Sequence, residues 1–451
     1  MDNGPNNKGL PFTIWMLSIP IFIDMLLSFS MFFIDSFFLS QISTTAAAAV
    51  GTVIPIFVIF VLLFMMIAQG GANVAGHYLG AKQFEGAKQT YTGTFLINSL
   101  LGLVVCVALL AFAPTLVTLF GMTNEAEFFA GEYLRYISIA LFLLALKSAM
   151  SAVCMSQGKT QYNLYSGIIV NVLNIGLNSL FLFGLDMGLY GIILATIISQ
   201  AVTCLYYLYV VIKRMNHQYE FGKVLQKFGE VTRPILAIGV PAAIQPISAE
   251  AGMFVLSLFA VAIGEDAMAA RVFVMNLLTV CICWSSAMSV GNQIMVSHLY
   301  GAKQYQLIGE KVDEHVKFSM AGSLVAAAIL FIAGDVLLGV FTSDQAIIST
   351  GLMLLSFGLV IEPLRSHAMM VSYSLKATGD ARFPAMVGVI VTWLVAIPLG
   401  YFLSIKLGIG VAGLWVALLI DEIFRAGINN GRWLSGKWQE TEAMHLQPQE
   451  A

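Results

Sequence analysis

The chain has 451 residues, of which 59% are hydrophobic and only 10% charged, and a formal net charge of −3. Soluble domains carry about 25% charged residues, so this composition excludes a soluble globular protein and fits a polytopic membrane protein. No basic stretch with interleaved aromatics points to nucleic acid. The five cysteines lie in apolar runs with neither a disulfide framework nor zinc spacing, so no metal or cofactor is expected.

In chain order, apolar runs long enough to span a bilayer fall at 11–40, 46–75, 90–113, 131–156, 162–184 and 188–213. After a polar linker at 214–233, six more follow at 234–262, 267–298, 317–340, 349–375, 383–405 and 409–431. The first ten residues are polar, and the run after them lacks a small-residue cleavage site, so no cleavable leader is expected. The two halves repeat each other at an offset of 221 residues. Pro20 returns as Pro241, His77-Tyr-Leu-Gly-Ala-Lys-Gln83 as His298-Leu-Tyr-Gly-Ala-Lys-Gln304, Phe120 as Phe341, and Gly158 as Gly379. The expected fold is all-α: twelve transmembrane helices in two six-helix bundles related by a pseudo-two-fold along the membrane normal. The expected divisions are a first lobe at 1–213, the linker at 214–233, a second lobe at 234–431 and a tail at 432–451.

Basic residues set the orientation. Lys8, Lys82, Lys88, Lys159, the linker basics, Lys303, Lys311, Lys317, Lys376, Arg382, Arg432 and Lys437 share one side. The other carries Lys406 and the acids Glu125, Glu127, Asp186, Glu265, Asp266, Asp335 and Asp344. Both termini are therefore expected to be cytoplasmic, with the chain multi-pass in the inner (plasma) membrane. The segments 76–89 and 297–311 read as short amphipathic helices on the cytoplasmic face, or as plain loops.

Ionisable and amide groups inside the spans are costly in hydrocarbon and mark candidate sites. Asp35 lies among bulky apolar neighbours in Phe-Ser-Met-Phe-Phe-Ile-Asp35-Ser-Phe-Phe, and its repeat partner is Leu256. A carboxylate taken from water must be paired or protonated, which suits a group that carries a proton in one state and not in another. Asn171, Asn174 and Asn178 share a face of span 5, and Thr196 lies on span 6. Asp35, Asn178 and Thr196 are each roughly 8–12 Å from the outer ends of their spans, at 1.5 Å per residue. Their alternative role is packing through interhelical hydrogen bonds. Asp24 lies about three turns from Asp35 on the same face of span 1 and is a candidate for lining the inward opening. Tyr133 and Tyr136 can reach the same lobe or act as interface anchors, while Glu132 and Arg135 read as a solvated pair. In the second half, Glu362 with Arg365 and Asp421 with Arg425 have helix-neighbour spacing and read as mutually neutralised. Glu250, opposite Phe29 in the repeat, has no local partner and is a candidate cation-attracting residue for substrate. Pro20 interrupts span 1 and is a candidate hinge.

These features together resemble the multidrug and toxic compound extrusion (MATE) family. The resemblance rests on Pro20 and Asp35 fifteen residues apart, the Gly-Ala-Lys-Gln loop after span 2, Asn171-Val-Leu-Asn-Ile-Gly-Leu-Asn178 in span 5, and Gly188-Leu-Tyr-Gly-Ile-Ile-Leu-Ala-Thr196. It implies an antiporter that expels amphipathic, often cationic compounds as its lobes rock between inward- and outward-open states. Asp35 would be the cation-coupling carboxylate, with Asn174, Asn178 and Thr196 around it, and Glu250 would match the family's span 7 acid. Many relatives carry Asp where this chain has Asn178. Arg365 falls where sodium-coupled relatives carry an acid, which favours protons over sodium. The expected partners are small-molecule drugs or toxic organic cations and the lipid bilayer, with the chain a monomer. A sodium-coupled antiporter and a lipid-linked oligosaccharide flippase are the alternatives. The flippase would want several unpaired basic residues, and the first lobe offers chiefly Lys147. The absence of a Gly-x-Gly-Asp motif and of a mid-span histidine pair argues against an intramembrane enzyme, so the chain reads as a non-enzyme.

Overall fold

A computed structural model describes residues 12–440; Lys8 and the tail beyond Glu440 lie outside the described residues. Among the described residues there is no strand. The first half holds α1 (Ile14–Ile42), α2 (Thr44–Gly80), α3 (Phe84–Thr118), α4 (Asn124–Ser156), α5 (Gln161–Ser179) and α6 (Gly188–Tyr209). The short α7 (Phe221–Gln226) precedes α8 (Phe228–Ile263), α9 (Glu265–Gly301) and α10 (Tyr305–Ile332). Then come the short α11 (Gly334–Gly339), α12 (Gln345–Ala377), α13 (Arg382–Val391), α14 (Ile397–Tyr401) and α15 (Val411–Leu434). π-helical turns extend α5 over Leu180–Gly184 and α6 over Val210–Arg214; others join α13 to α14 over Thr392–Ala396 and follow α14 over Phe402–Lys406.

Eleven of the described helices are long and apolar enough to cross a membrane, counting Arg382–Lys406 as one span. The twelfth, α15, has 24 residues but carries Asp421, Glu422, Arg425 and Arg432. All four are ion-paired, so this helix too belongs among apolar neighbours.

The segments after spans 2 and 8 are not separate surface helices. α2 and α9 run on to Gly80 and Gly301, and three-residue turns lead directly into α3 and α10. The reason lies in Lys82 and Lys303, which take left-handed backbone at φ 60° and 58°. Each turn closes with a six-to-one bond, Gln83 N–H to Tyr78 O at 2.8 Å and Gln304 N–H to Leu299 O at 2.9 Å. Gly158 and Gly379 do the same work after α4 and α12, at φ 69° and 91°, where a side chain would be strained.

Two compact units emerge, and their limits differ from a division at the linker. Ile19–Val240 forms one; the stretch ending at Ser18, together with Pro241 onwards, forms the other. α1 and α8 thus each begin in one unit and end in the other, changing over beside Pro20 and at Pro241. The crossing is built from small residues in both units. In the first unit, α2 and α8 touch backbone to backbone: a Cβ on Gly70 would meet Gly239 N and Ile235 O, both at 2.8 Å. In the second, Gly291 of α9 takes the place of Gly70, and its Cβ would meet Ile14 Cδ1 and Leu17 Cβ of α1 at 3.2 and 3.4 Å. The linker packs on α3 within the first unit, where Glu220 N–H donates to Thr92 Oγ1 at 3.1 Å and the Tyr219 ring lies 4.9 Å from that of Phe95.

Candidate functional site

α1, α5 and α6 bring four of the singled-out residues into one hydrogen-bonded chain in the first unit. Asn178 Nδ2 donates to Asp35 Oδ1 at 3.3 Å and to Asn174 Oδ1 at 2.8 Å. Asn174 Nδ2 donates to Thr196 Oγ1 at 3.3 Å, and that hydroxyl donates to the Ile192 carbonyl at 3.1 Å. Asn174 and Asn178 are wholly buried, and Thr196 nearly so. The spacing of 174 and 178 places both amides on one helical face, and the π turn at Leu180–Gly184 begins just beyond them. Such turns recur at functional sites in helices. Asn178 Oδ1 is buried without a partner. At the repeat-related positions stand Leu256, Val395, Leu399 and Ala417, so the second unit has no counterpart of this chain.

The remaining residues divide. Asn171 stays outside, because its Nδ2 bonds its own helix at the Gly167 carbonyl, 2.9 Å away. Tyr133 of α4 packs in the apolar cluster of Phe38, Leu39 and Ile192, within electrostatic reach of Asp35. Tyr136 packs against the same cluster and is also edge-on to Tyr190 at 6.0 Å, with the Arg135 guanidinium 5.6 Å from its ring. Glu132 and Arg135 are not an ion pair: Glu132 accepts the Tyr190 hydroxyl at 2.6 Å. A phenol from α6 competes successfully for this acid, and the arginine turns to a ring face.

Asp24 is not joined to the chain. It lies against Gly167 of α5, whose missing side chain leaves the room: a Cβ there would collide with Asp24 Oδ1. Lys147 of α4 acts on it electrostatically, but the two make no direct ion pair among the described residues. Below them Tyr207, Asn163 and Ser151 tie α6, α5 and α4 together, through bonds of 3.0 and 2.9 Å. Glu250 is exposed on α8 and has no hydrogen-bond partner among the described residues. In the second unit the expected pairs form, Arg365 to Glu362 at 2.5 Å and Arg425 to Asp421 at 2.7 Å. Sequence spacing missed a third contact, Arg365 Nε to Glu422 of α15 at 2.8 Å. No i, i+4 rule reports a contact between helices, and the only signal was an acid next to Asp421. Among the described residues, no cluster of three or more His, Cys, Asp or Glu could hold a metal.

A repeated assembly of long apolar helices, with buried amides and a part-buried acid part-way along the spans, defines a multi-pass membrane transporter. The MatE family model matches twice, over residues 20–180 and 241–402, the two matches starting on the repeat-related prolines. The chain therefore belongs to the MatE family, the multidrug and toxic compound extrusion transporters. It is 28% identical to an uncharacterized transporter, YisQ, of Bacillus subtilis (strain 168), with 95% of each chain covered. It is 24% identical to the probable multidrug resistance protein NorM of Thermotoga maritima, covering 90% of this chain and 88% of that one. Among solved structures it resembles a MATE transporter crystallised in a bent conformation, with a TM-score of 0.87, 21% identity and 96% of each chain covered.

Proposed function

We propose that the chain exports amphipathic, cationic compounds across the inner membrane in exchange for protons, by alternating access. The observation that carries this reading is the hydrogen-bonded chain ending on Asp35. An acid in the apolar half of a lobe, held by an amide donor and not by a base, can be protonated from one side and ionised on the other. One donor of the chain, Asn178 Nδ2, is given to the Asp35 carboxylate, while the remaining donors run on to Asn174 Oδ1, Thr196 and the Ile192 carbonyl, so protonation of Asp35 acts directly on the Asn178 bond that joins α1 to α5. Protonation from outside then releases the drug, and loss of the proton inside restores binding. A proton moving inward down 100 mV supplies about 2.3 kcal/mol before any pH gradient. Pro20, beside the point where α1 changes unit, is the hinge about which Asp35 moves. Glu250, exposed on α8 without a partner, attracts the cationic substrate; Asp24 and Tyr133 line the first lobe, and Tyr136 borders it at the outer end. The relatives named multidrug resistance and multidrug export proteins support the substrate class. The chain is expected to act as a monomer, with both termini in the cytoplasm.

Sodium is the second reading, and the partnerless Asn178 Oδ1 favours it, because that oxygen, Asp35 and Thr196 are all hard donors. Efflux of a lipophilic dye cation from energised vesicles separates the two. With sodium omitted, proton coupling predicts undiminished efflux; with the proton gradient collapsed, it predicts none. Efflux that needs sodium and survives the collapse sinks the proposal. Asp35→Asn is expected to abolish coupled efflux in either case.

A further inference from the structure

The linker is polar by composition, yet α7 and the start of α8 leave large apolar side chains uncovered. Phe221, Leu225 and Phe228 are 40%, 61% and 36% exposed, while Val224 between them is buried where α7 packs on α3. Phe221 and Leu225 are four apart and share one face of α7. Lys223 and Lys227, also four apart, are exposed and lie about 200° from that face at 3.6 residues per turn. An apolar stripe opposite a basic one marks a helix that lies in a membrane interface. The height of α7 along the bundle agrees. Glu220, just before α7, is held by Thr92, eight residues past the start of α3 at Phe84, which is about 12 Å along the helix axis. α3 has 35 residues. Its length of about 52 Å exceeds an apolar core of about 30 Å, leaving roughly 11 Å of overhang at each end. Phe221 sits 6.2 Å from Phe95, ring to ring, and a Cβ on Gly93 would meet Val231 Cγ1 of α8 at 2.7 Å. α7 and the start of α8 therefore stand at the edge of the apolar core and not out in the cytoplasm.

We infer that α7 and the residues flanking it form a docking surface for an anionic phospholipid leaflet. Phe221, Leu225 and Phe228 enter the boundary of the acyl chains, and the basic side chains around them meet the headgroup phosphates. Charge selects this occupant. Lys213, Arg214, Lys223, Lys227 and Arg233 are all exposed, against Glu220 and Glu230. Lys223 pairs with Glu220 at 3.0 Å; the other four make no ion pair among the described residues. That surplus is attracted to a negatively charged leaflet, whereas a second copy of the chain would bring the same basic surface against itself. The buried side of the linker fixes the orientation: His217 lies edge-on to Tyr91 of α3 at 5.2 Å, so the segment cannot roll its apolar stripe inward without giving up that packing. The lipid surface thus holds α7 from one side while α3 holds it from the other, and the charge of the leaflet sets how firmly the linker and the start of α8 are kept in place.

The test uses the full-length protein in lipid nanodiscs and an uncharged, water-soluble maleimide. Leu225→Cys reports on the apolar stripe, and Gln226→Cys, exposed beside it but off the stripe, reports on open surface at the same height. The parent gives the background from its native cysteines, four of them buried. The ratio of the two labelling rates cancels any effect of the lipid on thiol ionisation. In discs containing phosphatidylglycerol, Leu225→Cys is expected to react several-fold more slowly than Gln226→Cys. The ratio is expected to move towards one in discs of phosphatidylcholine alone, at high salt, and in phosphatidylglycerol discs when Lys223→Gln, Lys227→Gln and Arg233→Gln are added. Equal rates in every lipid would show the stripe in water and overturn the inference. Protection of Leu225→Cys that ignores lipid charge and the three substitutions would show it covered by protein, and overturns the inference as well. Labelling does not depend on transport, so either result leaves the export reading untouched.

Discussion

Asn178→Leu removes the residue on which the first-unit chain turns, and installs the side chain that stands at its repeat partner, Leu399. Leucine keeps the branched heavy-atom skeleton of asparagine and removes its donor and acceptor, with somewhat bulkier methyl ends. Two bonds disappear, at 3.3 Å to Asp35 and 2.8 Å to Asn174. A hydrogen bond to a charged group contributes about 1.5–3 kcal/mol, and a neutral one about 0.5–1.5 kcal/mol. Only the first is made and unmade as Asp35 changes its charge, so only that part acts on the transport cycle. At 1.36 kcal/mol per tenfold change in rate, it corresponds to roughly a 10- to 150-fold loss. The assay is proton-driven efflux of a lipophilic dye cation from everted vesicles at matched protein levels. Asn171→Leu is the control, because Asn171 lies on the same helix but bonds only its own backbone; it should transport within a few-fold of the parent. Efflux by Asn178→Leu within about twofold of the parent would refute the reasoning, since the donor to Asp35 would then contribute nothing to the rate.

Three further outcomes follow from the packing and the charges. Gly70→Ala should lower the thermal unfolding midpoint in detergent by an amount equivalent to about 1–2 kcal/mol, because its Cβ meets backbone that cannot rotate away. Gly176→Ala, with nothing within 4 Å of its Cβ, should raise the midpoint through the roughly 0.5–1 kcal/mol that Ala gains over Gly in a helix; equal shifts in the two variants would contradict the crossing described. Arg365→Met strands Glu362 and Glu422 without their cation and should destabilise by about 3–5 kcal/mol in chemical unfolding; an unchanged midpoint would mean that the network carries no buried charge. Burial, with Lys88 adding to it, pushes His217 in the linker down from 6.5 to about 4. A base held below its unfolded value gives its full contribution to linker docking above pH 6.5 and loses it as the pH falls towards 4, about 3 kcal/mol in all. Limited proteolysis of the linker should therefore accelerate over that range, and His217→Phe should flatten the response; the same pH profile in the variant would count against it.

Much of the first-unit chain was legible in the sequence because its determinants are local. Asn174 and Asn178 are four apart, and the depth of Asp35 and Thr196 follows from counting along their spans. The repeat then marked all four as departures, since apolar residues stand opposite them. What escaped depends on contacts between helices or on competition. Nothing local joins Glu422 to Arg365, or sets Tyr190 against Arg135 as the partner of Glu132. The sequence leaves 76–89 and 297–311 open between surface helices and plain loops, because a left-handed lysine at 82 or 303 leaves no mark like that of glycine at 158 and 379. The exchange of α1 and α8 between units was likewise hidden, since Gly70 and Gly239 lie far apart in sequence.

That exchange bears on how such a chain can be divided. Cutting within the linker would yield two six-span pieces, each ending in the wrong company: Ile14–Ser18 would lack Gly291, and the start of α8 would lack Gly70. Neither piece holds a complete core by itself. A single-repeat protein of this design would present one unmatched helical segment and one vacant berth for it, and two copies would satisfy each other by reciprocal swapping. Covalent fusion of the copies turns that intermolecular trade into an intramolecular one. Co-expressed halves are accordingly expected to reassemble with each other, and either half made alone to pair with itself or to aggregate.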